Sequence, residues 1–103
     1  MVRFSVMYPS NTGKFDFDSY TQNHMALVHR LLEPYGLVRT EIDRGLGADR
    51  LGIAAPYLAI CHFEFNSLEE MLKGIVPHFQ DIEADANKFT DIKPKYQISE
   101  ILR

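Results

Sequence analysis

Cysteine is nearly absent from the 103-residue sequence: Cys61 stands alone, so no internal disulfide can staple the fold, and a single thiol fits a reducing compartment. Long apolar runs are missing as well. No stretch approaches the ~18–20 continuous apolar residues of a membrane span, and Met1 to Tyr8 alternates apolar with polar residues where a secretory signal would carry an apolar block. Cytoplasm is the expected location, without a membrane partner. A basic block is also lacking. Eleven Lys and Arg against fourteen Asp and Glu leave a net charge of −3, which argues against a nucleic-acid partner. What is present is ordinary for a folded globule: 46% hydrophobic and 24% charged residues. The length predicts a single domain over 1–103 with no room for separate cofactor and substrate domains. So small a domain has much surface for its core, and a homo-oligomer is expected.

Val2, Phe4, Val6 and Tyr8 alternate with Arg3, Ser5 and Met7, the period of two that puts one strand face on a core. Pro9 to Gly13 reads as a turn. Asp16 is positioned to cap a helix that carries Phe17, Tyr20, His24, Leu27, Val28 and Leu31 on one stripe and stops near Glu33, before Pro34 and Gly36. A second strand follows over Leu37 to Arg44. The small-residue loop from Gly45 to Pro56 leads to a third strand, Tyr57 to Phe65. Ser67-Leu68-Glu69-Glu70 is a capping box in which hydroxyl and carboxylate satisfy each other's backbone donors. It opens a second helix, with Pro77 expected to kink or restart it and with Phe79, Ile82, Ala86 and Phe89 continuing its apolar stripe. Tyr96 to Leu102 reads as the last strand.

The order βαββαβ predicts an α+β, ferredoxin-like fold with helices on one face of an antiparallel sheet. Side-chain alternation then sends Phe4, Val6, Cys61, Phe63 and Ile98 toward the helices. Met7, Leu58, Ile60 and Ile101 fall on the other face, an apolar patch that a second copy would cover sheet against sheet.

Among four histidines, position separates the candidates. His24 lies within the apolar stripe, where a polar ring needs a hydrogen-bond partner or a ligand, whereas His29 falls on the solvent side. His78, just after Pro77, falls at the flank of the second helix's stripe, where side chains line a cavity edge. His62 shares the outer sheet face with Leu58, Ile60 and Glu64, which suits an interface. No pair has metal-ligand spacing, so no metal is expected. Cys61 alternates with Ala59 and Phe63 and reads as core packing. Gly45-Leu46-Gly47 leads into a strand rather than a helix and lacks a Lys-Ser/Thr partner, so it is not a phosphate loop. Asp81 and Asp85 share one side of the second helix, readable as a solvated face or as paired carboxylates. Tyr8, Tyr20 and Tyr96 are expected near the sheet-to-helix core, where they can form a small polar set with His24 at one end of an apolar pocket.

Three segments together resemble the EthD family, named for a gene cluster for ethyl tert-butyl ether degradation: Met7-Tyr8-Pro9, Phe15 to Tyr20 leading to His24-Met25-Ala26-Leu27-Val28, and a C-terminal run of Asp85 to Asn87, Phe89-Thr90-Asp91-Ile92, Pro94 and Gln97 to Glu100. The resemblance implies a dimeric α+β barrel in which two ferredoxin-like protomers pack their sheets together. It carries over Tyr20, His24 and Phe89 to Asp91 as motif residues. Similar barrels include cofactor-free monooxygenases, polyketide cyclases and muconolactone isomerases that use a His or Tyr as acid or base. The resulting expectation is a cofactor-free homodimer that binds a small apolar organic compound, with His24, Tyr20 and His78 as acid-base groups and Tyr8, Phe79, Phe89 and Tyr96 as substrate contacts. A non-catalytic ligand-binding or accessory protein of a catabolic pathway is the alternative.

Overall fold

The computed structural model describes residues 1–10 and 13–103. Strands β1 (Val2–Pro9), β2 (Leu37–Arg44), β3 (Tyr57–Phe65) and β4 (Lys95–Glu100) form one sheet in the order β2-β3-β1-β4, every neighbouring pair antiparallel. One helical segment connects β1 to β2 and another connects β3 to β4, giving the expected ferredoxin-like α+β arrangement. Part of the turn expected over 9–13 falls on Asn11 and Thr12, outside the described residues.

The first helix is composite. Phe17–Ser19 and Met25–Leu32 are α-helical, and Tyr20–His24 between them forms a π turn, followed by a 3-10 turn at Glu33–Tyr35. Asp16 caps its start by accepting the Ser19 amide at 3.1 Å. The wider π turn rotates the downstream face relative to an ideal 3.6-residue spiral. Tyr20, His24, Met25, Val28 and Leu32 are buried, while Leu27 and Leu31 are only half-buried. Gly36 ends the segment at φ 79°, and its missing Cβ keeps clear of the Glu70 carboxylate, which an added carbon would approach to 2.8 Å.

The second helix, Leu68–Ala86, runs unbroken through Pro77. The restart that Pro77 allows does not occur: Pro77 is exposed, whereas Ile75 and Gly74, which packs against Tyr35, are buried. Ser67 caps the helix by accepting the Glu70 amide at 3.2 Å; the Glu70 carboxylate accepts from the Ser67 hydroxyl at 3.1 Å rather than from the backbone. Phe89 lies beyond the helix, in a turn whose Phe89 carbonyl accepts the Asp16 amide at 2.8 Å, next to a bridge between Phe15 and Thr90. β4 starts one residue earlier than expected and stops at Glu100, since beyond it only the Ile101 amide reaches across, to the Met1 carbonyl at 3.1 Å.

The register sets which side chains face the helices. Phe4 pairs with Phe63 and Ile98, Val6 with Cys61 and Tyr96, and Tyr8 with Ala59, so these residues share the helix side of the sheet; on the edge strand β4, however, Ile98 remains half-exposed beyond the reach of the helices. On the opposite face Met7 pairs with Ile60, but Arg3, Ser5, His62 and Glu64 alternate with them. The apolar patch expected there is therefore interrupted by charge. Glu64 is buried under Arg3 (3.4 Å), Arg39 (3.8 Å) and Arg103 (3.0 Å), and Ser5 Oγ lies 2.7 Å from His62 Nδ1.

Candidate functional site

A cavity of about 40 Å³ lies between the covered sheet face and both helices. Phe4, Val6 and Tyr8 of β1 and Cys61 and Phe63 of β3 form its floor. Tyr20, His24 and Val28 supply one wall, Ile75, Phe79 and Ile82 the other, and Tyr96 and Glu83 stand at its edge. The lining is almost wholly apolar, so the few polar atoms within it stand out.

The π turn brings two of them together. Tyr20 and His24 are both buried, with ring centroids 6.1 Å apart and planes 21° from parallel. His24 Nδ1 lies 2.9 Å from Asp85 Oδ2, and the other oxygen of Asp85 takes Lys88 Nζ at 3.0 Å. Burial lowers the His24 pKa from its usual value and outweighs the opposing pull of Asp85. Burial pushes the Asp85 pKa up, but hydrogen bonds from His24 and Lys88 more than reverse this, so the carboxyl is held below its ordinary range. Both directions fit one proton arrangement: a neutral imidazole donates its Nδ1–H to an ionised carboxylate, leaving the Nε2 lone pair as a base.

Tyr20 is 1% exposed, and its hydroxyl meets no oxygen or nitrogen partner among the described residues, with only the weakly polar Cys61 thiol against it. Burial first, then Cys61 and Tyr8, raises its pKa far above the ordinary phenol value, so the group remains a proton donor. A buried hydroxyl without a strong partner costs free energy, roughly 1–3 kcal/mol. Tyr8 is likewise held protonated by burial and by the neighbouring Tyr96 and Cys61. Burial pushes the Cys61 thiol up to about 12 and its hydrogen points to Met25 Sδ at 3.8 Å, consistent with core packing and not with a nucleophile. Tyr96, at the cavity edge, is raised to about 12 by burial and by the Glu83 carboxylate.

Of the residues singled out in the sequence, Tyr8, Tyr20, His24, Phe79 and Tyr96 line this cavity. Phe89 stands behind it, fully buried, with its ring centroid 4.8 Å from His24 and 5.0 Å from Tyr20. His78 is elsewhere: its ring packs beside Tyr35 at 6.0 Å, outside the lining, because the inward face of its helix passes through Ile75, Phe79 and Ile82. His29 is half-exposed beside Glu33, and Asp81 is exposed and apart from Asp85. The two acids form no pair; Asp85 serves His24 instead. That partnership was missed in the sequence, although a histidine on an apolar stripe demands a polar partner. Met25 was missed too, since 100° per residue does not describe a π turn. Among the described residues no group of three or more His, Cys, Asp or Glu side chains gathers as a metal site.

A family model described as the EthD domain matches residues 10–93. Among solved structures, an EthD-like protein from Ralstonia eutropha JMP134 is similar at a TM-score of 0.91 and 29% identity, over 99% of this chain and 92% of that one. An ethyl tert-butyl ether (EthD) family protein from Bacillus halodurans C-125 gives 0.75 and 20% over 99% of both chains. HapK from Hahella chejuensis gives 0.62 and 16% over 99% of this chain and 93% of that one. At these two lower identities the likeness concerns the fold alone. No curated protein matches the sequence. With a family model matched across most of its length, and with the shared architecture, this chain belongs to the EthD family.

Proposed function

We propose that the cavity receives the oxygen-bearing end of a small, largely apolar organic compound and that His24 acts on it as a base without a cofactor. The carrying observation is the buried Tyr20 hydroxyl, which has no oxygen or nitrogen partner among the described residues and lines the same cavity as His24, the imidazole held by Asp85. Tyr20 donates a hydrogen bond to a carbonyl or hydroxyl oxygen of the ligand. Asp85 holds the imidazole in one tautomer and stabilises the imidazolium formed when Nε2 takes a proton. Proton transfer next to an oxygen function is the reaction class this arrangement serves, and such groups contribute about 10²–10⁴-fold to a rate. Oxygenated aromatic and ether-derived compounds are the candidate substrates, the latter suggested by the name the EthD family carries.

We also propose a homodimer formed through the outer sheet face. Met7 and Ile60 lie half-buried there in one protomer, flanked by the Glu64–arginine cluster, and a twin would cover them. A cytoplasmic setting is part of the same proposal; no helix is long and apolar enough to cross a membrane among the described residues.

The test is purified protein with candidate substrates. Turnover that His24→Ala abolishes and His24→Gln does not restore supports the enzyme. Saturable binding without product in both forms identifies the accessory ligand-binding protein instead.

A further inference from the structure

The volume of the inner cavity poses a problem that a neighbouring cleft resolves. At about 40 Å³ the cavity has room for one or two waters or a small functional group, whereas small-molecule sites usually offer roughly 300–1,000 Å³. Against its edge lies an outer cleft of about 430 Å³ between the end of the second helix and the segment leading to β4. Glu83, Ala86 and Tyr96 line both spaces. A third depression of comparable size, about 410 Å³ beside Asp85 and Lys88, shares no lining residue with the cavity. The shared edge therefore singles out one of two similar surface clefts as the outward extension of the site.

The chemistry of the two spaces differs. The inner one is apolar apart from Tyr20 and His24. The outer one presents Gln80, Asn87, Thr90 and Lys93 together with two carboxylates, Glu83 and Asp91. Asp91 Oδ1 already accepts the Lys14 amide at 2.8 Å. Glu83 has no ion-pair partner among the described residues and stands at the junction, where it is hydrogen-bonded with the Tyr96 hydroxyl and keeps a second carboxylate oxygen. Two carboxylates against one lysine leave the cleft with an excess negative charge, which opposes an anionic group and favours hydrogen-bond donors.

We infer that the ligand is bipartite: an oxygen-bearing apolar end passes the shared edge at Glu83, Ala86 and Tyr96 to reach Tyr20 and His24, and an uncharged, hydroxyl-bearing tail lies in the outer cleft against Glu83. This rests on the proposed binding role of the inner cavity and adds the class of the second half of the ligand. Glu83 is a specificity-determining residue in this arrangement. Tyr96 stands at the boundary between the two spaces and is braced from the inner side by Phe79, with ring centroids 5.3 Å apart.

Calorimetric titration of the whole protein with phenol, para-(hydroxyethyl)phenol and para-hydroxyphenylacetate separates the two levels. The hydroxyethyl compound is expected to bind about tenfold tighter than phenol, equal to ~1.4 kcal/mol. It should also exceed the carboxylate compound by a similar factor, and Glu83→Gln should reduce that second preference while Tyr20→Phe weakens all three ligands alike. Phenol binding that the tail does not improve, or a preference for the carboxylate that persists in Glu83→Gln, overturns the bipartite site while leaving the inner cavity's role intact. If none of the three binds, and none shifts the His24 ring resonances, both fall together.

Discussion

Replacing Tyr20 by Phe should make the free protein more stable and its ligand complex weaker, opposite signs from one oxygen atom. The Tyr20 ring is 1% exposed and contacts Tyr8, Phe15, His24 and Phe89, all of which Phe can retain. Only the hydroxyl is lost. That hydroxyl is buried without an oxygen or nitrogen partner among the described residues, so its removal relieves an unpaid desolvation of roughly 1–3 kcal/mol, from which adjustment of the cavity wall subtracts a part. A net gain of about 1 kcal/mol is expected. For a domain near 100 residues this raises Tm by about 4–8 °C. Urea denaturation monitored by far-UV circular dichroism reads the gain as a higher midpoint at unchanged slope. Tyr20→Ala supplies the contrast, since deleting the whole ring should cost ~3–5 kcal/mol. A Tyr20→Phe protein destabilised by 1 kcal/mol or more would show that the hydroxyl is satisfied in the free protein, and the attachment point in the cavity wall would be lost.

Acid should act in two stages. His24 has a folded pKa below its usual 6.5, so on acidification the unfolded chain takes up a proton first and stability declines from about pH 6.5 downward through the folded value. Asp85 and Glu64 are also depressed in the fold; their contribution is complete above the ordinary values of 3.8 and 4.5 and is lost as pH falls through the lower folded values. Denaturant midpoints between pH 8 and pH 2 should trace both stages, and His24→Gln should remove the first. Glu64→Gln leaves Arg3, Arg39 and Arg103 facing a neutral amide; because these arginines are part-exposed, the expected loss is a discounted ~1–2 kcal/mol in the same assay. Light scattering at micromolar concentration should give twice the protomer mass, and a monomer would refute the sheet-to-sheet dimer.

Much of the fold was legible because its signals are local. Alternation along Val2 to Tyr8 marked a strand, Ser67 and Glu70 marked a helix start, and the order of elements then fixed the architecture. Half-turn details escaped for physical reasons. A π turn follows no sequence periodicity, which is why Met25 and Leu32, not Leu27 and Leu31, complete the buried face. Proline inside an α pattern usually interrupts it, yet at Pro77 the missing amide falls on an exposed side and the helix continues.

The site was legible only in part. His24 was identifiable from its place on an apolar stripe, but its partner lies 61 residues away, and no local rule links the two. Asp85 instead read as part of a solvated face, or as half of an acidic pair with Asp81. The outer sheet face shows the same limit. Its alternation holds for Met7 and Ile60, whereas Leu58, beside the register shift at Tyr8 and Pro9, packs against the core; the burial of Glu64 depends on three arginines from β1, β2 and the C-terminal residue, a convergence that only tertiary structure produces.

The most direct measurement is the ¹H–¹⁵N correlation spectrum of the histidine rings, recorded free and with saturating para-(hydroxyethyl)phenol. His24 in the free protein should show a neutral ring protonated at Nδ1, and ligand should shift its Nε2 resonance while leaving His29 and His78 unchanged. A His24 ring protonated at Nε2, or one that ignores the ligand while the ligand binds, would contradict a site built around this imidazole.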